Sequence, residues 1–301
     1  MVTGRRARSS AAIACALLIL GASLCVQLSA AIAKGLLGTV GTVGVSGLRM
    51  AIAALVLLVL TRPALRGRPR REWAGIVLYG AAMAAMNVLF YNAVANLPLG
   101  IAVTLEFLGP FLVAFLGTRT RWESVFPLAA LAGVALISDP TGSMTAVGLA
   151  WGLGAAVAFG GYTVLAGHVG RASSGFSGLA LSVTVGALVL APFSAAAVPR
   201  VSGTGGWPVL AASGIIGVAV AFGFTYTATR LTSPRVTGTL LAVDPAMGAL
   251  IGALVLDERL TGPAGLGIAL VVVSGAAVTW LAGARRGEPA LRPDRSPGRP
   301  V

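Results

Sequence analysis

The feature that most constrains this chain is the near absence of charge over ten stretches, each about as long as a membrane-crossing helix. The apolar runs cover residues 10–33, 38–61, 72–95, 98–117, 122–138, 146–166, 176–198, 207–228, 234–256 and 262–283. A helix needs ~20 apolar residues to cross the hydrocarbon core, and most of the runs reach that length, the fifth being short. They are apolar on every side, as suits helices set among lipid and other helices. Strands of a membrane barrel would instead alternate over ~10 residues.

Only 10% of the 301 residues are charged and 56% are hydrophobic, whereas soluble domains carry about 25% charged residues. So few charges cannot cover a water-facing surface, and the lipid bilayer is the expected surrounding. The net charge of +13 does not indicate nucleic acid, because the basic residues sit in short clusters between apolar runs rather than on one face. With the N-terminus inside, eighteen of the 22 basic residues fall in inside segments and three, Lys34, Arg200 and Arg259, fall outside; Arg49 lies within a run. This bias predicts ten spans with both termini cytoplasmic. The Ala31-Ile32-Ala33 sequence resembles a signal-peptidase site, but the preceding apolar stretch is too long for a signal core and is read as the first span.

The two halves repeat at an offset of 135 residues. Tyr91 aligns with Tyr226, Thr104 with Thr239, Pro110 with Pro245 and Glu123 with Glu258. The expected units are 10–138 and 146–283, five helices each, with 284–301 as a disordered cytoplasmic tail. An odd number of helices per unit forces the second to enter from the opposite side, giving an inverted-topology repeat, a plan of many secondary transporters. The predicted fold class is therefore an all-α integral membrane protein of two inverted five-helix repeats. Gly148-xxx-Gly152 and Gly248-xxx-Gly252 are read as helix-packing pairs.

Three ionisable residues lie near the middle of their runs: Arg49, Glu106 and Asp244. Such residues cost about 2.5–3.5 kcal/mol at mid-membrane on insertion scales and face the bundle interior or pair with one another. Pro110 and Pro245 each lack the N–H that would bond the carbonyl four residues earlier. They are read as helix breaks at equivalent depths, and interrupted helices at matching positions point to a transport site. Arg49 could hold a carboxylate through its planar fork. Glu106 or Asp244 could meet an ammonium group or carry a coupling proton. The alternative is a buried ion pair that only joins helices. Asn87 and Tyr91, four apart on one helix face, are further candidates, either for substrate binding or for hydrogen bonds between helices. Glu123 and Glu258 are placed at helix ends, in capping or gating roles.

An enzyme is not expected. Lys34, the single lysine, is followed by Gly35, which rules out a phosphate-binding Walker loop. With His168 the single histidine, a histidine metal site or serine triad is not supported. No cofactor and no metal are predicted. The predicted partners are a small-molecule substrate, a proton and the bilayer; a homodimer is left open.

The stretch from Asn87 to Tyr91, followed by Pro98-Leu-Gly-Ile-Ala-Val-Thr-Leu-Glu-Phe-Leu-Gly-Pro110, resembles the EamA branch of the drug/metabolite transporter superfamily, and within it the threonine/homoserine exporter subgroup. Gln27 to Lys34, Gly47-Leu-Arg49 and Gly238 to Met247 are similar too. The resemblance covers about residues 10–283. It implies a ten-helix exporter of small amino acids in the bacterial plasma (inner) membrane, exchanging them for protons. A broader drug or metabolite exporter is the alternative, and a passive channel is disfavoured by the inverted repeat and the midplane charges. Where the family pattern leads one to expect Glu before the ninth-helix proline, this chain has Asp244.

Overall fold

The computed structural model describes residues 2–116, 125–137, 145–172, 176–231 and 240–286. Glu123, His168's side chain, the start of the ninth apolar run and the tail from 287 lie outside the described residues or side chains. The described chain is helical: α1 (Val2–Lys34), α2 (Leu37–Val40), α3 (Thr42–Thr61), α4 (Arg70–Asn96), α5 (Leu99–Leu116), α6 (Val125–Ile137), α7 (Ala146–Ala172), α8 (Phe176–Thr204), α9 (Trp207–Gly214), α10 (Ala221–Leu231), α11 (Asp244–Val255) and α12 (Gly262–Arg286). A π-helical segment, Ile215–Val220, joins α9 to α10.

Among the described residues, six helices are long and apolar enough to cross a membrane by length and composition. Helices α5, α11 and α12 contribute shorter apolar stretches, such as Leu99–Val113. Large apolar side chains point outward on many helices, including Leu17, Leu60, Leu116, Val157 and Leu254. In water such a surface would be an aggregation patch; in a bilayer it is the expected exterior.

Three sequence expectations change. The run 38–61 is not one helix, because Gly41 at φ +87° separates α2 from α3. Only glycine takes that conformation at little cost. Pro110 does not break its helix: α5 continues through it to Leu116. The missing N–H still leaves the Glu106 carbonyl without its i+4 donor, but packing against α7, α11 and α12 holds the backbone in register. Pro245 stands in the first turn of α11, where a missing N–H costs nothing. Residues 242–243 form a turn just before it, so Asp244 opens a helix instead of sitting mid-helix.

Helix packing crosses between the halves. α3 lies against α8, α5 against α11, and α6 against α12; α4 packs on α7, and α1 on α10. Glycines set the closest approaches. A Cβ on Gly109 would stand 1.9 Å from the Ala156 carbonyl oxygen, and one on Gly100 2.6 Å from the Ala249 Cα. The Gly148 and Gly152 pair seats Leu97 and Leu105, and Gly248 seats Val103. These are packing roles, as the spacing predicts.

Candidate functional site

Arg49 is the best-defined point of the site. It stands on α3 with 6% of its surface exposed, surrounded by apolar helices. Its Nη2 donates to Ser29 Oγ on α1 and, at 3.4 Å, to the carbonyl oxygen of Ser213 on α9. The two serines clamp each other: Ser29 Oγ donates to the Ser213 carbonyl at 2.7 Å, and Ser213 Oγ to the Ser29 carbonyl at 2.8 Å. The guanidinium carbon lies 4.8 Å above the Tyr91 ring on α4, a cation–π arrangement that gains strength away from water. The π-helical segment closes the other side, because a Cβ on Gly217 would reach 3.0 Å from Arg49 Nη2 and 2.1 Å from Ser29 Oγ. Glycine is needed there for the helix to approach.

The two carboxylates are buried as well. Glu106 on α5 and Asp244 at the start of α11 are 8% and 9% exposed, and each is within electrostatic reach of the other. Tyr91 interacts with both Arg49 and Glu106, and its hydroxyl lies beside Ser213. Tyr162 on α7 also faces Glu106 and stacks on Tyr79 with ring centroids 5.0 Å apart. Among the described residues no ion pair joins Arg49 to either carboxylate. The buried ion pair considered as an alternative is therefore not formed. Ser23, beside Asp244, is the midpoint of the apolar span Ile13–Lys34, so the break before α11 falls at mid-depth.

Of the residues singled out in the sequence, Arg49 and Tyr91 are in contact, and Glu106 and Asp244 are near neighbours. Asn87 is half-buried and spends its amide on its own helix, donating to the Met83 carbonyl at 3.0 Å. The sequence reading missed Ser29 and Ser213, which hold Arg49, and Ser23 and Gln27 on α1. The signal was a set of polar residues within the first and eighth apolar runs. A surface cleft of about 470 Å³ lies at the far end of α3, lined by Thr61, Arg62, Arg68 and Phe176; it shares no residue with this site.

The EamA-like transporter family model matches twice, over residues 13–138 and 146–280. The threonine/homoserine exporter RhtA of Salmonella typhimurium (strain SL1344) is 29% identical over 252 residues, covering 82% of this chain and 84% of the exporter. The Escherichia coli (strain K12) protein of the same name is 28% identical over 252 residues, covering 81% of this chain and 84% of its own. A solved crystal structure superposes with a TM-score of 0.59 at 19% identity, covering 91% of this chain and 99% of that one, a likeness of fold.

Proposed function

Because the chain belongs to the EamA-like transporter family, we propose that it is a secondary carrier exporting small amino acids of the threonine or homoserine kind across the bacterial plasma membrane in exchange for protons. The observation that carries this reading is Arg49: a desolvated guanidinium held by two serines and an aromatic face, with no acidic partner among the described residues. A buried cation is costly unless an anion meets it, and its planar fork suits a carboxylate. Glu106 carries the coupling proton, being buried beside a second carboxylate and in no ion pair among the described residues.

Ten spans in two inverted repeats complete the proposal. The double family match supports it. So does the packing: exchanging the first five spans with the last five turns the α4–α7 pair into the α1–α10 pair, while α3–α8, α5–α11 and α6–α12 map onto themselves. The charge bias supports cytoplasmic termini. Alternating access then amounts to one repeat rocking against the other around Arg49, Glu106 and Asp244.

A second reading is export of a wider set of drugs or metabolites. The observation favouring it is Asp244, one methylene shorter than the Glu expected there. Efflux of labelled threonine and homoserine from overproducing cells, with and without a proton gradient, separates the two. Faster efflux that collapses with the gradient is expected. Absence of amino-acid efflux at full membrane abundance would remove the substrate assignment.

A further inference from the structure

The cleft at the far end of α3 has no part in the site around Arg49. Its volume of about 470 Å³ is within the usual range for a small-ligand site. Leu60, Thr61, Arg62 and Arg68 form one wall, and Phe176 and Ser177 at the start of α8 form the other. The connection behind the first wall is strongly basic. From 62 to 72 it carries Arg62, Arg66, Arg68, Arg70 and Arg71 against the single acid Glu72. On the topology proposed above, this end of α3 faces the cytoplasm.

One arginine builds the cleft. Arg68 Nε donates to the Ala64 carbonyl at 2.8 Å, folding the connection back on itself. Its Nη2 donates to Ser177 Oγ at 3.0 Å, which ties that connection to α8. Its Nη1 pairs with Glu72, so its charge is already answered. The protein's own bonds therefore hold the two walls in place.

A second arginine supplies the charge. Arg62 joins no ion pair among the described residues, and no acidic side chain among them lines the cleft. It caps α3 at φ +41°, its N–H donating to the Leu58 carbonyl at 2.9 Å. That left-handed position ordinarily goes to glycine. Backbone geometry alone does not account for an arginine there.

The cleft also opens onto the lipid-facing surface. Leu60 lines it and is 71% exposed. Leu55 and Val59, one turn apart on α3, are 65% and 68% exposed. These side chains lead from the cleft toward the middle of the bilayer. A soluble anion would use only the arginine end of this surface, whereas an amphiphile uses both ends.

We propose that the cleft binds one anionic phospholipid, its phosphodiester held by Arg62 and its acyl chains laid along Leu60, Val59 and Leu55. The proposal rests on the topology above only for the leaflet, which is the cytoplasmic one. A guanidinium fork matches phosphate oxygens, and basic pockets between membrane helices on that side suit such headgroups. A zwitterionic headgroup fits less well, because its cation would meet arginines and no acid of the wall.

The test titrates the purified full-length protein in neutral detergent with phosphatidylglycerol or phosphatidylcholine and follows thermal unfolding. A ligand that binds only the folded state raises the unfolding temperature. The wild type should respond to phosphatidylglycerol at concentrations at least ~10-fold below those needed for phosphatidylcholine; equal responses overturn the proposal. Arg62→Gln should raise the half-saturating phosphatidylglycerol concentration roughly 10-fold, the effect of losing one charge-assisted bond. Arg66→Gln removes the same charge from the same connection but does not line the cleft. It should shift that concentration by less than about 2-fold at 0.15 M salt. Equal shifts in the two variants would reduce the effect to diffuse attraction and overturn the site. Arg62→Gly separates binding from folding. Without lipid it should unfold at or above the wild-type temperature, because glycine relaxes the cap, yet it should bind phosphatidylglycerol as weakly as Arg62→Gln. Wild-type lipid affinity in Arg62→Gly overturns the proposal. Inorganic phosphate is the last arm. Equal stabilisation by phosphate alone, at concentrations similar to those of phosphatidylglycerol, would assign the cleft to a soluble anion and overturn the lipid assignment.

Discussion

Lys34 Nζ lies 2.5 Å from Glu258 Oε1, so the end of α1 is tied to the segment after α11, 224 residues away in sequence. The other carboxylate oxygen, Oε2, accepts from the backbone N–H of Leu99, the first residue of α5, at 2.7 Å. Lys34 also donates to the Leu97 carbonyl at 3.3 Å. Asp257, at φ +52°, turns the chain to present Glu258. A single carboxylate thus caps one helix and clamps a second. Glu258→Ala removes both contacts and should lower stability by about 2 kcal/mol. Glu258→Gln keeps an acceptor for Leu99 and should lose less. Thermal unfolding in detergent ranks the two; equal losses would show that the cap, not the charge, was irrelevant.

Arg49→Lys keeps the charge but loses the planar fork and its stacking on Tyr91. Lys cannot reproduce the donor geometry toward Ser29 and Ser213 or present a bidentate face to a carboxylate. Initial efflux at low substrate should fall roughly 10-fold, equivalent to about 1.4 kcal/mol. Labelled-substrate efflux normalised to membrane abundance measures this. A wild-type rate would show that the fork is not used in recognition.

Gly109→Ala should not accumulate. Its Cβ would meet the backbone of α7 at Ala156 and Gly160, which no rotamer change can relieve. Forced overpacking costs typically about 1–3 kcal/mol, and more where backbone must move. Gly161→Ala, with nothing within 4 Å of its Cβ, is the matched control and should reach wild-type levels. Immunodetection of membrane fractions decides between them.

Glu106→Gln removes an ionisable group while keeping size and shape. Under the proton-antiport proposal it should abolish acceleration of efflux by a pH gradient, yet leave exchange of labelled for unlabelled substrate intact. The two assays run on the same vesicles. Gradient-driven efflux at the wild-type rate would remove Glu106 from coupling.

Much of the bundle was legible because bilayer-length apolar runs admit few alternatives to helices. Details depending on a single residue's surroundings were not. Pro110 and Pro245 look equivalent in the repeat, but one lies inside α5 and the other in the first turn of α11. Packing against three helices decides the first case, and no local pattern reveals it. Gly41 looked like one more small residue until its backbone angle set it apart. At the site, charge made Arg49, Glu106 and Asp244 conspicuous. Ser29 and Ser213 were not, since a serine in an apolar run also satisfies itself on its own helix, as Ser194 does here. Which serine turns toward a neighbour depends on helix rotation, and all-round apolar helices carry no stripe to report it.

The π-helical segment between α9 and α10 also says where this chain can change length. Ser213 before it is in phase with Ser29, while Phe224 and Ala228 after it are in phase with Gly21 and with Cys15 and Ile19. One residue lost from an α-helical stretch rotates everything beyond it by ~100°, so a deletion within α9 or α10 would pull one of these sets out of register. A deletion between 215 and 220 would let the wide turn relax to an ordinary one and keep both. Among related chains, natural gaps in this helix should collect at that single turn, which makes it the one place where the wall facing Arg49 can be reshaped without re-threading the bundle.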